Sequence, residues 1–110
     1  MEKVAIIGSG LIGRAWAMVF ARAGHPVKLY DAAPGSAEKA LALINEGLEE
    51  LHEFGLISES ADVVMKRVTT AASLADAVKD ADYVQENTSE KLDVKREVYR
   101  QMDEIGRAHV

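Results

Sequence analysis

The chain has 110 residues, 48% of them hydrophobic, a formal charge of −5 and no cysteine, which allows one globular core or part of one. The acidic balance excludes nucleic acid and anionic membrane as partners, because both need a basic surface to displace counterions. The lack of cysteine excludes a disulfide framework and a thiolate metal site and suits a reducing compartment, so the expected location is cytoplasmic.

Lys3 precedes an apolar run, but Gly8, Ser9, Gly10 and Arg14 interrupt it too early for a signal peptide core. No stretch approaches the roughly 18 continuous apolar residues that span a bilayer. The run Val4-Ala5-Ile6-Ile7 is the first expected strand, and Gly8-Ser9-Gly10-Leu11-Ile12-Gly13 follows it directly. Each glycine has a distinct role in such a turn: Gly8 permits the tight bend, Gly10 lets backbone approach phosphates, and Gly13 lets helix and strand pack closely. The helix N-terminus then presents N–H groups and a positive dipole end to phosphate charge.

Ile12, Ala15, Trp16, Val19, Phe20 and Ala23 recur at helical spacing and predict the buried face of a first helix, with Trp16 in the core, stopped by Gly24 and Pro26. Val27, Leu29 and Tyr30 form a second strand ending at Asp31, completing a right-handed βαβ unit. Pro34, Gly35 and Ser36 open a long helix with Ala37, Ala40, Leu41, Ile44, Leu48 and Leu51 on one face, ending near Gly55. A second helical stretch from Ser60 carries Ala61, Val64 and Met65, so residues 36–67 read as a helical hairpin inserted before the third strand.

That third strand is Val68-Thr69-Thr70, and Ser73 with Asp76 caps a short helix through Val78. Tyr83-Val84-Gln85-Glu86 is the fourth strand, and residues 89–105 form a charged helix with Val98, Met102 and Ile105 inward and Gly106 as its stop. The expected fold class is α/β, a partial Rossmann domain: a doubly wound parallel sheet with a helical-hairpin insertion after the second strand. Its strand order is 3-2-1-4, which leaves the Tyr83 strand at an edge. Residues 1–110 are expected to be the N-terminal part of a dinucleotide-binding domain, with further strands and a second, helical domain lying beyond them.

A glycine turn alone is weak evidence, but a strand before it, a helix after it and an acid at the end of the next strand point to a dinucleotide. Asp31 is that acid. A carboxylate there accepts bonds from the adenosine ribose hydroxyls and repels a 2′-phosphate, and Ala32 and Ala33 supply no arginine for one, so NAD is expected over NADP. Glu86, Asn87, Thr88, Ser89, Glu90 and Lys95 stand at or beyond the carboxyl end of the fourth strand, where such sheets place ligands, although residue type alone makes Glu90 and Lys95 solvated helix charges. His25, His52 and His109 are the only histidines and none sits where a catalytic base is expected. No metal-ligand spacing of the HExxH or CxxC kind is present.

The run from Val4 through Gly13 to Arg14-Ala15-Trp16-Ala17-Met18, then Val27 to Asp31, the helical insertion, and Ala81-Asp82-Tyr83-Val84-Gln85-Glu86 followed by Lys95 resembles the N-terminal half of the 3-hydroxyacyl-CoA dehydrogenase family. Within it, the chain is most similar to the L-gulonate 3-dehydrogenase and lambda-crystallin branch, which usually has proline where Ser89 stands. The resemblance implies NAD-dependent oxidation of the secondary alcohol of a 3-hydroxy acid or 3-hydroxyacyl-CoA to the ketone, and a homodimer when full length. It implies cofactor contacts at Gly8, Gly10, Leu11, Ile12, Gly13, Asp31, Glu90 and Lys95. It also implies that the catalytic serine, histidine, glutamate and asparagine lie beyond Val110, so no catalytic residue is assigned here and the 110 residues alone are expected to be inactive. A non-catalytic cofactor-binding or crystallin-like structural domain is the alternative from another class, and a flavin-binding domain shares the glycine turn but not the helical insertion.

Overall fold

A computed structural model describes residues 2–87. The elements run β1 (Val4–Ile7), α1 (Leu11–Arg22), β2 (Val27–Tyr30), α2 (Ser36–Glu53), α3 (Ala61–Met65), β3 (Val68–Thr70), α4 (Leu74–Val78) and β4 (Tyr83–Glu86). The strands form one parallel sheet in the order β3-β2-β1-β4, with Ile7 opposite Tyr30 on one side and Glu86 on the other. This is the α/β order expected from the sequence, and the α2–α3 hairpin falls between β2 and β3 as expected. The helix expected over residues 89–105 lies outside the described residues.

β1 is buried at all four positions because it is central and covered on both faces, the pattern of a parallel sheet with helices on either side. Its period of two divides the core. Val4 and Ile6 join Leu29, Ala17, Ala21, Ala40, Ile44 and Leu48 beneath α1, α2 and α3, whereas Ala5 and Ile7 join Leu74, Ala77, Val78 and Val84 beneath α4. The apolar stripe of α2 is Ala37, Ala40, Ile44 and Leu48, with Leu41 and Leu51 only partly covered at its margin.

α1 departs from the sequence expectation. The stripe on the sheet is Gly13, Ala17 and Ala21, not Ile12, Ala15, Trp16, Val19 and Ala23. Leu11, Ile12 and Val19 are 75%, 64% and 41% exposed, and Trp16 is 39% exposed rather than in the core. The cause is the distance of approach: residues without bulk at every fourth position let the helix axis settle close to the sheet, and the larger side chains turn outward. Trp16 instead stacks on Phe20 at 5.7 Å between ring centroids, and Phe20 meets Tyr83 at 5.6 Å.

Side-chain bonds set several of the ends. Ser73 Oγ accepts the Asp76 N–H at 3.0 Å, the cap foreseen for α4. Ser36 does not cap α2; Gly35, at φ 78°, takes that position without a side-chain bond. Arg67, between α3 and β3, donates to both carboxylate oxygens of Glu59 at 2.9 and 2.6 Å and to the Ala21 carbonyl at 2.9 Å, so it ties the α3 entry to the last turn of α1. The Arg67 hydrogen bond holds the Glu59 carboxyl below its ordinary pKa. Among the described residues no helix is long and apolar enough to cross a membrane.

Candidate functional site

The carboxyl ends of β1, β2 and β4 open on the same edge of the sheet, where the order reverses between β2-β1 and β1-β4. Three features converge there: the glycine turn, the first turn of α1 and Asp31. Gly8 leaves β1 at φ 99°, a conformation side chains resist, while its N–H donates to the Tyr30 carbonyl at 2.8 Å. The turn is therefore bonded to the neighbouring strand while it reverses direction.

Gly13 is required by contact. A Cβ on it would stand 1.9 Å from the Gly8 carbonyl oxygen and 2.9 Å from the Gly8 carbonyl carbon, so the helix can seat on the turn only without one. Gly10 is different. Its backbone is extended at φ −69° and ψ −170°, open to any residue, and a Cβ built there meets nothing within 4 Å. The fold makes no demand for glycine at position 10. The space it leaves is outside the chain, in front of the helix.

The first bond of the α1 ladder runs from the Arg14 N–H to the Gly10 carbonyl at 2.9 Å. The N–H groups of Leu11, Ile12 and Gly13 precede that ladder, no side chain caps them, and the first turn carries no acid. The side chains of Leu11 and Ile12 are exposed, so they take no part in the core and both residues face the site edge. Donors at the positive end of a 12-residue helix, behind a glycine with open space before it, suit an anion.

Asp31 closes the other side. Its Oδ2 accepts both the N–H and the hydroxyl of Ser9, at 2.8 and 2.7 Å, and its Oδ1 accepts the Ala33 N–H at 2.8 Å. Burial raises its pKa, but the bonds from the Ala33 N–H, the Ser9 hydroxyl and the Ser9 N–H together hold the carboxyl below its ordinary value. Asp31 is thus ionised at neutral pH. A groove of about 300 Å³ runs past it between α1 and α2, lined by Ser9, Gly10, Arg14, Asp31, Ser36 and Lys39 among others.

The structure brings Gly8, Gly10, Leu11, Ile12, Gly13 and Asp31 to one edge. Glu86 ends β4 beside them and Asn87 follows it, its N–H donating to the Ile7 carbonyl at 2.7 Å. Thr88, Ser89, Glu90, Lys95 and His109 lie outside the described residues. His25 sits at the opposite, amino edge of the sheet, its Nδ1 3.2 Å from the Glu2 carbonyl, and His52 is exposed on α2. The sequence reading missed Ser9 as the partner of Asp31, and Arg14, Ser36 and Lys39 as groove residues. A serine between two glycines was the only available signal.

Comparison with known proteins places this geometry in a group. Residues 3–110 match the family model described as 3-hydroxyacyl-CoA dehydrogenase, NAD binding domain. The chain is 40% identical to a lambda-crystallin of Oryctolagus cuniculus over 93% of its own length and 33% of that protein's. It is 35% identical to an L-carnitine dehydrogenase of Oceanobacillus iheyensis over 99% of its own length and 34% of that protein's. Among solved structures, it superposes on a 3-hydroxybutyryl-CoA dehydrogenase of Escherichia coli K12 with a TM-score of 0.83 at 33% identity, over 94% of this chain and 22% of that one. The chain spans about a third of the length of the curated relatives it matches.

Proposed function

The chain belongs to the 3-hydroxyacyl-CoA dehydrogenase family, in its NAD-binding domain, and from that membership we propose that it is the N-terminal, cofactor-holding part of an oxidoreductase that oxidises the secondary alcohol of a 3-hydroxy acid or 3-hydroxyacyl thioester. The residues present fit NAD. Gly8, Gly10 and the N–H groups of Leu11, Ile12 and Gly13 would hold the pyrophosphate, and Asp31 the adenosine ribose; Glu90 and Lys95 complete the proposed cofactor contacts. When bound, NAD supplies the hydride acceptor. What these residues contribute is binding and orientation, and none of them is assigned to proton transfer from the alcohol. A cytoplasmic homodimer belongs to the same reading, supported by the family resemblance and the lack of cysteine.

The single observation carrying this reading is Gly10: a glycine that the fold does not need, at the mouth of α1, whose uncapped first turn faces the carboxyl edge of the strands. Its glycine is explained by what docks in front of it. The expected result for Gly10→Ala is therefore a split between folding and binding. Unfolding free energy stays within about 1 kcal/mol of the native chain, because φ and ψ suit alanine and the only cost is a poorer helix cap. NADH affinity, followed by energy transfer from Trp16, falls tenfold or more. Equal NADH affinity in the two chains would remove the observation on which the assignment rests.

A non-catalytic role for the same site is favoured by the similarity to a protein named lambda-crystallin. Both readings require NAD binding. They separate on whether the full-length protein that carries this chain reduces NAD with L-carnitine or 3-hydroxybutyryl-CoA.

A further inference from the structure

Ser9 is the one buried polar side chain among the described residues, at 5% exposure. Its position between two glycines would tolerate any small residue as far as turn geometry is concerned. Yet it spends both its backbone and its side-chain donor on a single atom, Asp31 Oδ2, 22 positions away, at 2.8 and 2.7 Å. A carboxylate has about four acceptor positions, two on each oxygen. Ser9 occupies those of Oδ2 and the Ala33 N–H takes one on Oδ1, which leaves one acceptor position, on Oδ1, for a ligand.

The surroundings give that restraint a purpose. The groove beside Asp31 also contains Arg14 from α1 and Lys39 with Ser36 from α2. Two cations and a hydroxyl are the groups that bind a phosphate monoester. They are also the groups toward which a loosely held Asp31 would turn, and a carboxylate paired with them would no longer oppose a phosphate. Exclusion of a 2′-phosphorylated cofactor thus depends on Asp31 being fixed away from its cationic neighbours. We propose that the Ser9 hydroxyl is the positioning residue that sets cofactor specificity, by fixing Asp31 so that the groove admits a free ribose and rejects a 2′-phosphate. The inference rests on the NAD reading given above. The pKa direction found for Asp31 agrees with it, since the Ser9 hydroxyl is among the groups favouring the charged form.

Two measurements on the native chain, Ser9→Ala and Ser9→Cys test it. Cysteine nearly conserves volume while donating only weakly, so it separates loss of the bond from loss of packing. The first measurement is the Asp31 carboxyl titration followed by its 13C shift without cofactor; both variants are expected to move the midpoint upward. The second is the ratio of NADPH to NADH dissociation constants, expected to fall about tenfold or more in both variants. An upward midpoint with an unchanged ratio overturns the proposal, as does an unmoved midpoint. Unfolding of both variants overturns it as well, since Ser9 is then a structural residue. A native chain that binds neither nucleotide would sink the cofactor reading and this inference together, whereas a native chain selective for NADH beside equally selective variants sinks only the inference.

Discussion

Asp31→Ala is expected to weaken NADH binding by roughly ten- to a hundredfold and to abolish the preference for NADH over NADPH. The first effect follows from hydrogen bonds to an ionised group, which contribute about 1.5–3 kcal/mol each, at about 1.4 kcal/mol per tenfold in affinity. The second follows from charge: removal of the carboxylate leaves Arg14 and Lys39 as the charged residues lining the groove. A titration with both nucleotides reads both effects, and an Asp31→Ala chain that still prefers NADH would place the discrimination elsewhere. The substitution also strips three donors of their acceptor, the Ser9 N–H, the Ser9 hydroxyl and the Ala33 N–H. Part of any loss of stability therefore comes from unsatisfied groups, which cost about 1–3 kcal/mol when buried, and Asp31→Asn serves as the control that retains an acceptor. Because the folded-state pKa of Asp31 is depressed, its contribution to stability is fully present above the ordinary carboxylate pKa. It is lost as pH falls through the folded value.

Gly13→Ala is expected to have a large effect on the fold for a single added methyl group. The new Cβ would lie 1.9 Å from the Gly8 carbonyl oxygen, and the obstacle is backbone. Gly8 cannot retreat: it is at φ 99° and bonded to Tyr30 across the sheet. α1 must move outward instead, which opens the packing of Ala17 and Ala21 against Ile6 and Leu29. Overpacking of this kind costs typically 1–3 kcal/mol and more when backbone is displaced, from a total of about 5–15 kcal/mol in ordinary domains. For a chain of this size about 3 kcal/mol lowers the melting temperature by roughly 10–25 °C. Thermal unfolding followed by circular dichroism measures it, and a Gly13→Ala chain that melts with the native one would show that the helix does not seat on the turn as described. The pair Gly10→Ala and Gly13→Ala thus separates the glycine that the proposal gives to the ligand from the glycine that the packing requires.

The strands, the glycine turn and the helical hairpin were legible because each rests on local chemistry. Val4–Ile7 reads as a buried strand from four consecutive apolar residues, and Gly24, at φ 102°, with Pro26 two residues later marks the end of α1. The strand order also followed, since a right-handed βαβ unit leaves few ways to arrange four parallel strands. The face of α1 was misread because hydrophobic periodicity weighs large side chains most. Close packing on a parallel sheet selects for the least bulk, and Gly13, Ala17 and Ala21 carry almost no periodic signal. Likewise the glycines and Asp31 were legible as a motif, but the two bonds from Ser9 were not. They depend on a side-chain orientation set by the approach of the β1 and β2 ends, which neither segment encodes alone. Arg14 and Lys39 reach the groove for the same reason, from helices whose relative placement is fixed by Ala40 and Ile44 in the core and Met18 packed against it.

The central claim, that the glycine turn and Asp31 form one site for the pyrophosphate and adenosine of NAD, is tested most directly by amide chemical-shift mapping of the native chain during titration with NADH and, in parallel, NADPH. The account predicts saturable shifts at Gly8, Ser9, Gly10, Leu11, Ile12, Gly13 and Ala33 with NADH, and much weaker ones with NADPH at the same concentrations. Shifts centred away from the carboxyl edge of the sheet, or no shifts in a chain whose spectrum is that of a folded protein, would contradict it.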